Sequence, residues 1–182
     1  AAVYINIGLL YSDQLNYKKS KEYNLKAIKI AEEIDHKSKI ALINLNLGAI
    51  YARKGDKETA LEYYLKALEY YENKEKYDEL ITLYNNIGDN NIENALEYYH
   101  KSLNIAKRNN DSIELARIYH KLAGYFNSFN IKDSAYFYAD KAYLIATKFN
   151  KFSYISETSL LLYKLNYKDK NFEKACIYLD KH

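Results

Sequence analysis

Three asparagines recur at a constant interval, at Asn6, Asn46 and Asn86, and each stands two positions before a glycine. A side-chain amide can donate a hydrogen bond to a backbone carbonyl and accept another from a backbone N–H group at the same time. Because asparagine is a mediocre helix former, three of them in one column need a reason. The column is therefore predicted to hold an extended peptide by its backbone. The alternative is that asparagine is common in this chain and these three are simply solvated.

Cationic and polar side chains surround this asparagine column. Lys121 takes the equivalent position in the next unit of the chain. Neighbouring positions on the same predicted face hold Arg53, Asn85, Arg117 and His120. Arg117 and Lys121 are one helical turn apart, so both side chains can meet one acidic segment. With the three asparagines, these residues form the predicted peptide-binding set, which favours acidic peptides.

The histidines and the cysteine form no recognisable metal or nucleophile motif. The spacing between these residues matches no known pattern of metal ligands. The residues are His36, His100, His120, His182 and Cys176. The chain also lacks a glycine-rich phosphate loop and a nucleophile elbow. We therefore expect a non-enzymatic protein that uses no cofactor and no metal ion.

Composition limits the class of protein. The chain has 182 residues, of which 48% are hydrophobic and 28% charged, so it can bury a core. It has no proline and five glycines, too few for the many turns of a β-sandwich or barrel. The net charge is +3 with both signs interspersed, so the sequence shows no basic patch of the kind that binds nucleic acid. No apolar run in the sequence is long enough to span a membrane. Without a visible signal peptide the expected compartment is the cytoplasm, or the periplasm if the chain belongs to a membrane-anchored sensor.

Internal repetition predicts the elements that must position the asparagines. The segments YINIGLLY, NLNLGAIY and YNNIGD surround Gly8, Gly48 and Gly88, and a second block such as ALEYYLKAL follows each of them. Apolar residues in both blocks follow the i, i+3, i+4 pattern of amphipathic helices. The pattern predicts five helix pairs, each with a helix A and a helix B. The predicted spans are 1–13, 17–34, 37–54, 57–73, 77–89, 92–108, 112–127, 131–149, 152–167 and 171–182.

The third repeat is shorter than the others. The step from Gly8 to Ser20 equals the step from Gly48 to Ala60, but the step from Gly88 to Ala95 is shorter by five positions. Either the third repeat carries a deletion, or a short stretch is lacking from the sequence near residues 89–92. We favour the second interpretation, because a helix that ended early would expose the apolar residues of its neighbours to solvent. The repeats are assigned to 1–36, 37–76, 77–111, 112–151 and 152–182 of a single array, and both ends of the array are interpreted as truncated.

The repeated pattern resembles the tetratricopeptide repeat, in its longer-repeat subclass. That family combines a large residue, Leu-Gly and Tyr on helix A with small residues and an aromatic on helix B. The second repeat supplies these as Leu47, Gly48, Tyr51, Ala60, Tyr64 and Ala67. The resemblance implies an all-α fold, a right-handed superhelix of about five helix pairs whose tyrosines belong to the core and whose A helices line a concave groove.

The same resemblance implies a binding function. Relatives that act as chaperone cofactors grip a terminal carboxylate with five residues, and Asn86, Arg117 and Lys121 match three of them. Leu45 and Ala49 stand where Lys and Asn are expected, so the full clamp is absent. The predicted function is a non-catalytic protein- or peptide-binding scaffold. The alternatives are a sensor segment of a larger bacterial signalling or transcription-regulating protein, and a spacer or self-association module.

Overall fold

A computed structural model describes residues 1–181, and His182, the end of the predicted last repeat, lies outside them. Within this range the chain forms ten α-helices and no β-strand. They are α1 (Ala2–Asp13), α2 (Tyr17–Glu33), α3 (Lys37–Lys54), α4 (Lys57–Asn73), α5 (Tyr77–Asn90), α6 (Ala95–Arg108), α7 (Ser112–Ser128), α8 (Lys132–Lys148), α9 (Phe152–Lys168) and α10 (Phe172–Leu179). Most ends agree with the predicted spans within one or two residues.

The chain divides into two compact units, which we describe separately. Unit 1 comprises Ala1–Ala95 and unit 2 begins at Leu96. In unit 1 each helix packs on the next, and the A helices α1, α3 and α5 also contact one another in succession. In unit 2, α7, α8, α9 and α10 pack in the same order, and the A helices α7 and α9 touch. Each unit therefore has a layer of A helices beside a layer of B helices, and the single array over residues 1–182 stays a prediction.

Left-handed residues end the helices at a regular interval. The spacing of the positions with positive φ is constant except for one longer step between Glu75 and Asn110, which reflects the short third repeat. In these turns an N–H group reaches back five residues to a helix carbonyl, as from Asp56 to Tyr51 at 3.0 Å, which is a Schellman cap. The eight positions are Leu15, Asp35, Gly55, Glu75, Asn110, Asn130, Asn150 and Lys170. Because these eight caps use the same geometry, the turns at these positions are short and bring successive helices side by side.

The glycines of the A helices lie where helix B approaches most closely. A Cβ atom added to Gly48 would lie 2.5 Å from Cδ1 of Tyr64, a ring that is only 2% exposed. In the first repeat the corresponding Gly8 faces the amide of Asn24. Alanines at the crossing, including Ala60 and Ala67, are fully buried. Small residues on both helices therefore let the two helices of a pair approach closely.

The repeat tyrosines contribute to the core in two ways. Tyr51 and Tyr64 are both buried, as expected, but Tyr64 packs inside its own pair and Tyr51 stacks on Tyr63 with ring centroids 5.5 Å apart. Equivalent stacked pairs recur as Tyr11–Tyr23 and Phe126–Tyr138. An aromatic pair of this kind adds roughly 0.5–1.5 kcal/mol beyond its buried area. Each of these three repeats thus fastens the end of helix A to helix B with one aromatic stack.

The short third repeat changes one helix boundary. α5 ends at Asn90, whereas α3 runs to Lys54, whose equivalent in the third repeat is Asn94. Asn91 leaves the helix with φ −125° and ψ 89°, and α6 starts at Ala95. The predicted start of α6 at position 92 is wrong by three residues, because residues 92–94 form a turn between α5 and α6. These residues are needed for the connection because the third repeat is five positions shorter than the others.

Gly48→Ala is expected to lower the free energy of unfolding by about 1–3 kcal/mol, because its methyl group would overlap the buried Tyr64 ring. Gly124→Ala is the matched control, since nothing lies within 4 Å of its added Cβ, and it should gain up to about 1 kcal/mol of helix propensity. Urea unfolding of the three proteins measures both. Equal stability of the two variants would contradict the close-approach role of Gly48.

Candidate functional site

The three predicted asparagines lie at one register of the three A helices in unit 1. Asn6 is on α1, Asn46 on α3 and Asn86 on α5, and these helices contact each other in that order. Asn6 is exposed, whereas Asn46 and Asn86 are half-buried. The helix register thus places the column on one layer of unit 1, with more cover on α3 and α5 than on α1.

The amide of Asn46 has an unused hydrogen-bond donor. Its Nδ2 atom is buried and has no hydrogen-bond partner within the part of the chain that the structure describes. At the equivalent position on α5, the backbone carbonyl of Asn86 accepts a hydrogen bond of 2.7 Å from Nδ2 of Asn90. A buried donor without a partner costs free energy, and a backbone carbonyl from a ligand would relieve that cost.

Arg53 links two A helices of unit 1. One of its Nη atoms donates to Oγ of Ser12 at 3.0 Å and lies 3.6 Å from a carboxylate oxygen of Asp13. Both charged side chains are more than half exposed, so this ion pair contributes little stability. The guanidinium is thus positioned between α1 and α3 and keeps further donors for a ligand.

Asn85 differs from the other predicted residues because it is fully buried. Neither Oδ1 nor Nδ2 has a hydrogen-bond partner within residues 1–181. Nearly all buried polar groups in proteins are paired, so this side chain is a local cost to stability. The side chain of Asn85 does not reach solvent in this structure.

In unit 2, Arg117 is held by its own helix. Its Nε donates to a carboxylate oxygen of Glu114 at 2.9 Å, and Nη2 pairs with the same carboxylate. Both side chains are about three-quarters buried, which makes this pair stronger than an exposed one. Lys121, one turn later, is half-buried. Arg117 therefore offers a partly neutralised charge, which weakens the argument for acidic peptides at this point.

His120 lies at a pocket between α7 and α9. Its Nδ1 is 3.3 Å from Oγ1 of Thr158, which is fully buried. The pocket has a volume of about 250 Å³ and is lined by His120, Gly124, Glu157, Leu160, Leu161 and Lys164. Because a Cβ on Gly124 would meet nothing within 4 Å, the absence of a side chain at this position leaves the space open. We call this the α7–α9 pocket.

Burial lowers the pKa of His120, and Glu157 opposes the shift only in part. The neutral imidazole can donate one hydrogen bond and accept another, and so serves a polar ligand group in either sense. Leu160 and Leu161 supply an apolar wall beside the charged Glu157 and Lys164. This combination of an apolar wall with a few polar groups is typical of a site for one side chain of a ligand.

The residues of α9 in this pocket were missed from the sequence, although the repeat length contains them. Glu157 and Leu160 stand one repeat length after Arg117 and His120, and Lys164 stands one repeat length after Gly124. Extending the predicted residues by one repeat would have found Glu157 and Leu160. It would not have found Lys164, because Gly124 was not among the predicted residues. The fifth repeat was overlooked because it keeps only a weak form of the motif.

Among the described residues no group of three or more His, Cys, Asp or Glu side chains could hold a metal ion. No helix in residues 1–181 combines the length and the apolar character that crossing a membrane requires.

Residues 1–73 match the family model described as tetratricopeptide repeat. This segment of the chain consists of tetratricopeptide repeats. The family predicted from the Leu-Gly-Tyr pattern is thereby confirmed. A comparison with curated protein sequences finds no significant match.

Solved tetratricopeptide-repeat structures resemble the chain over almost its whole length. BtubC from P. vanneervenii is 21% identical with a TM-score of 0.84, covering 96% of this chain and 74% of its own. Aspartyl phosphate phosphatase F from Bacillus subtilis is 18% identical with a TM-score of 0.89, covering 98% of this chain and 48% of its own. A Rap protein complexed with Competence and Sporulation Factor is 18% identical with a TM-score of 0.82, with 98% and 51% covered.

At these identities the likeness shows the fold alone, and the predicted fold class, an all-α tetratricopeptide-repeat solenoid, is confirmed. The chain spans about half the length of the phosphatase and of the Rap protein.

Asn85→Leu is expected to raise the free energy of unfolding by about 1–3 kcal/mol, because leucine has the same branched shape and removes two unpaired polar atoms. Asn86→Leu, at the neighbouring half-buried position, is the control and should change stability less. Urea unfolding at neutral pH measures both variants. A loss of stability in Asn85→Leu would show that its amide has a partner in solution.

His120 should make folding less stable in acid. Because its folded pKa lies below the ordinary 6.5, the unfolded state binds the proton more readily. Its contribution is fully present above pH 6.5 and is lost as the pH falls below that value. His120→Gln should flatten this dependence in thermal unfolding between neutral and acid pH, whereas His100→Gln, at an exposed position, controls for removal of a histidine. An unchanged profile in His120→Gln would contradict the prediction.

Proposed function

We propose that this chain is a non-catalytic protein- or peptide-binding module that uses the faces of its A helices. The tetratricopeptide-repeat match and the shared fold support a role in protein interaction or regulation. One structural neighbour, a Rap protein, was crystallised in complex with Competence and Sporulation Factor. The phosphatase named among the neighbours shares only the fold at 18% identity, and its activity is not carried over.

The observation that carries this proposal is the α7–α9 pocket. Its volume of about 250 Å³ accommodates one large side chain of a partner, not a drug-sized ligand. Leu160 and Leu161 would contact the apolar part of that side chain, and His120, Glu157 and Lys164 would meet its polar end or the adjacent backbone. The partner is accordingly an extended segment that inserts an amphipathic side chain such as tyrosine.

The asparagine column is the second part of the proposal. In unit 1, Asn6, Asn46 and Asn86 would hydrogen-bond the backbone of an extended peptide, with Arg53 at the edge. The unpaired Nδ2 donor of Asn46 supports this contribution, because a ligand carbonyl would satisfy it after a rotation of the side chain. Backbone contacts give affinity with little sequence preference, so specificity would come from pockets such as the one in unit 2.

Gly124→Leu should abolish binding at the α7–α9 pocket, because its side chain would occupy the open space without straining the helix. The probe is a displayed library of unstructured peptides, selected on the wild-type chain and then titrated by fluorescence anisotropy. We expect the affinity of the selected peptides to fall by about tenfold or more in Gly124→Leu.

Gly124→Ala serves as the control for that experiment and should retain binding, since one methyl group leaves most of the pocket open. Asn46→Ala/Asn86→Ala tests the asparagine column in the same titration. Undiminished binding by Gly124→Leu would remove the pocket from the proposal, and undiminished binding by the asparagine variant would remove the column.

A second candidate is a sensor or regulatory segment of a larger bacterial protein. The observation that favours it is coverage, since the chain spans only about half of the phosphatase and of the Rap protein. The full-length gene tests this candidate directly. An adjoining DNA-binding, kinase or ATPase domain would support it, and a gene that encodes only further repeats would favour a scaffold.

A further inference from the structure

A second concave surface lies in unit 1, between the first turns of α2 and the end of α3. This cleft has a volume of about 230 Å³ and is lined by Tyr17, Lys18, Lys21, Ile50, Tyr51 and Lys54. Three of its six lining residues are lysines, and the others present apolar or aromatic surface. We call it the lysine cleft.

The floor of the lysine cleft is rigid. Tyr51 is buried and stacks on Tyr63 at a centroid distance of 5.5 Å, and Ile50 belongs to the buried core of unit 1. The Nζ atom of Lys21 lies 5.4 Å from the centroid of the Tyr51 ring, and that of Lys54 lies 6.0 Å from it. Interaction with the Tyr51 side chain also raises the pKa of Lys21. Two cations are therefore held against one fixed aromatic ring.

The charges of the cleft are not neutralised. Within the described residues, none of Lys18, Lys21 and Lys54 forms an ion pair with a carboxylate, whereas the neighbouring Lys26 is paired with Glu22 at 2.7 Å. Lys18 helps to lower the pKa of Glu22 from a distance, but that carboxylate is paired with Lys26.

The start of α2 adds to the positive potential. The helix is capped by neutral Asn16 and has no acidic residue in its first turn. By comparison, α4 and α7 are capped by Asp56 and Asp111 and carry a glutamate in the first turn. The positive end of the α2 dipole is thus left without a local anion, beside three cations.

We propose that the lysine cleft binds a short acidic segment of a partner protein, in which carboxylates flank one apolar or aromatic side chain. The carboxylates would pair with Lys18 and Lys54, and the central side chain would rest on Ile50 and the Tyr51 ring. Charge complementarity selects an acidic partner, and the recessed apolar floor favours a peptide side chain over a flat anionic membrane.

The lysine cleft is separate from the asparagine column. On α3, Tyr51 follows Asn46 by five residues, which places it about 140° around the helix axis. The cleft also involves the B helix α2, whereas the column uses A helices only. The inference therefore goes beyond the proposed function and does not depend on it.

The test is a titration of the whole chain with a fluorescein-labelled synthetic peptide that has glutamates on both sides of one phenylalanine. Lys18→Gln/Lys54→Gln should weaken binding about threefold to tenfold, the loss expected for two partly exposed charge pairs. Lys29→Gln/Lys39→Gln removes the same charge from the same two helices outside the cleft and should bind like the wild type. Binding should also weaken as salt is raised, because the charges are near the surface.

Several results would overturn the proposal. The first three are absence of binding to the wild type, equal weakening in both double variants, and equal affinity for a peptide in which glutamine replaces every glutamate. Tighter binding to phosphatidylserine vesicles or to single-stranded oligonucleotides than to the acidic peptide would also overturn it, in favour of those anions. Gly124→Leu should bind the acidic peptide with the affinity of the wild type, because this substitution lies in the α7–α9 pocket. Loss of binding at the lysine cleft is therefore distinguishable from loss of binding at the α7–α9 pocket.

Discussion

The close approach of helix A to helix B inside each pair is the constraint on which the rest of the structure depends. At Gly48 the Tyr64 ring occupies the space that a side chain would take, and at Gly8 an asparagine does so. With fully buried alanines on the facing helix, the two backbones come close enough to bury a continuous core. No pair could bury its apolar face alone, so each unit gains stability by stacking further helices on the first pair.

This packing also decides which side chains remain for binding. Because the B helices cover one side of every A helix, the opposite side of the A layer keeps polar residues such as Asn46 and His120. Gly48 and Gly124 illustrate the two uses of glycine in this fold. The space beside Gly48 is occupied by the Tyr64 ring, whereas the space beside Gly124 is part of the α7–α9 pocket.

The two proposed binding surfaces differ in chemistry as well as in position. The α7–α9 pocket combines a histidine, a glutamate and a lysine with apolar residues, so it recognises a side chain by shape and hydrogen bonds. The lysine cleft carries one sign of charge above a rigid aromatic floor and selects by charge. A protein that binds one partner segment at each surface would gain avidity without any change in its repeats.

The sequence by itself determined the family, the helices and the order in which they pack. Periodicity alone placed most helix ends within two residues, because the Schellman turns recur at a regular spacing and each repeat obeys the same local geometry. The start of α6 was missed because residues 92–94 form a turn in the short third repeat, whereas the corresponding residues 57–59 form the first turn of α4. The pocket residues Glu157 and Leu160 could also have been predicted, since each stands one repeat length after a predicted residue, Arg117 and His120 respectively.

Only the tertiary structure decided which polar groups are buried and which charges converge. The sequence treats Asn85 and Asn86 alike, yet one is fully buried without a partner and the other is half-buried. Lys18 and Lys54 are distant in the chain and meet only because α2 packs on α3. Burial and electrostatic potential depend on distances between helices, and a repeat pattern fixes residue types and register but not those distances.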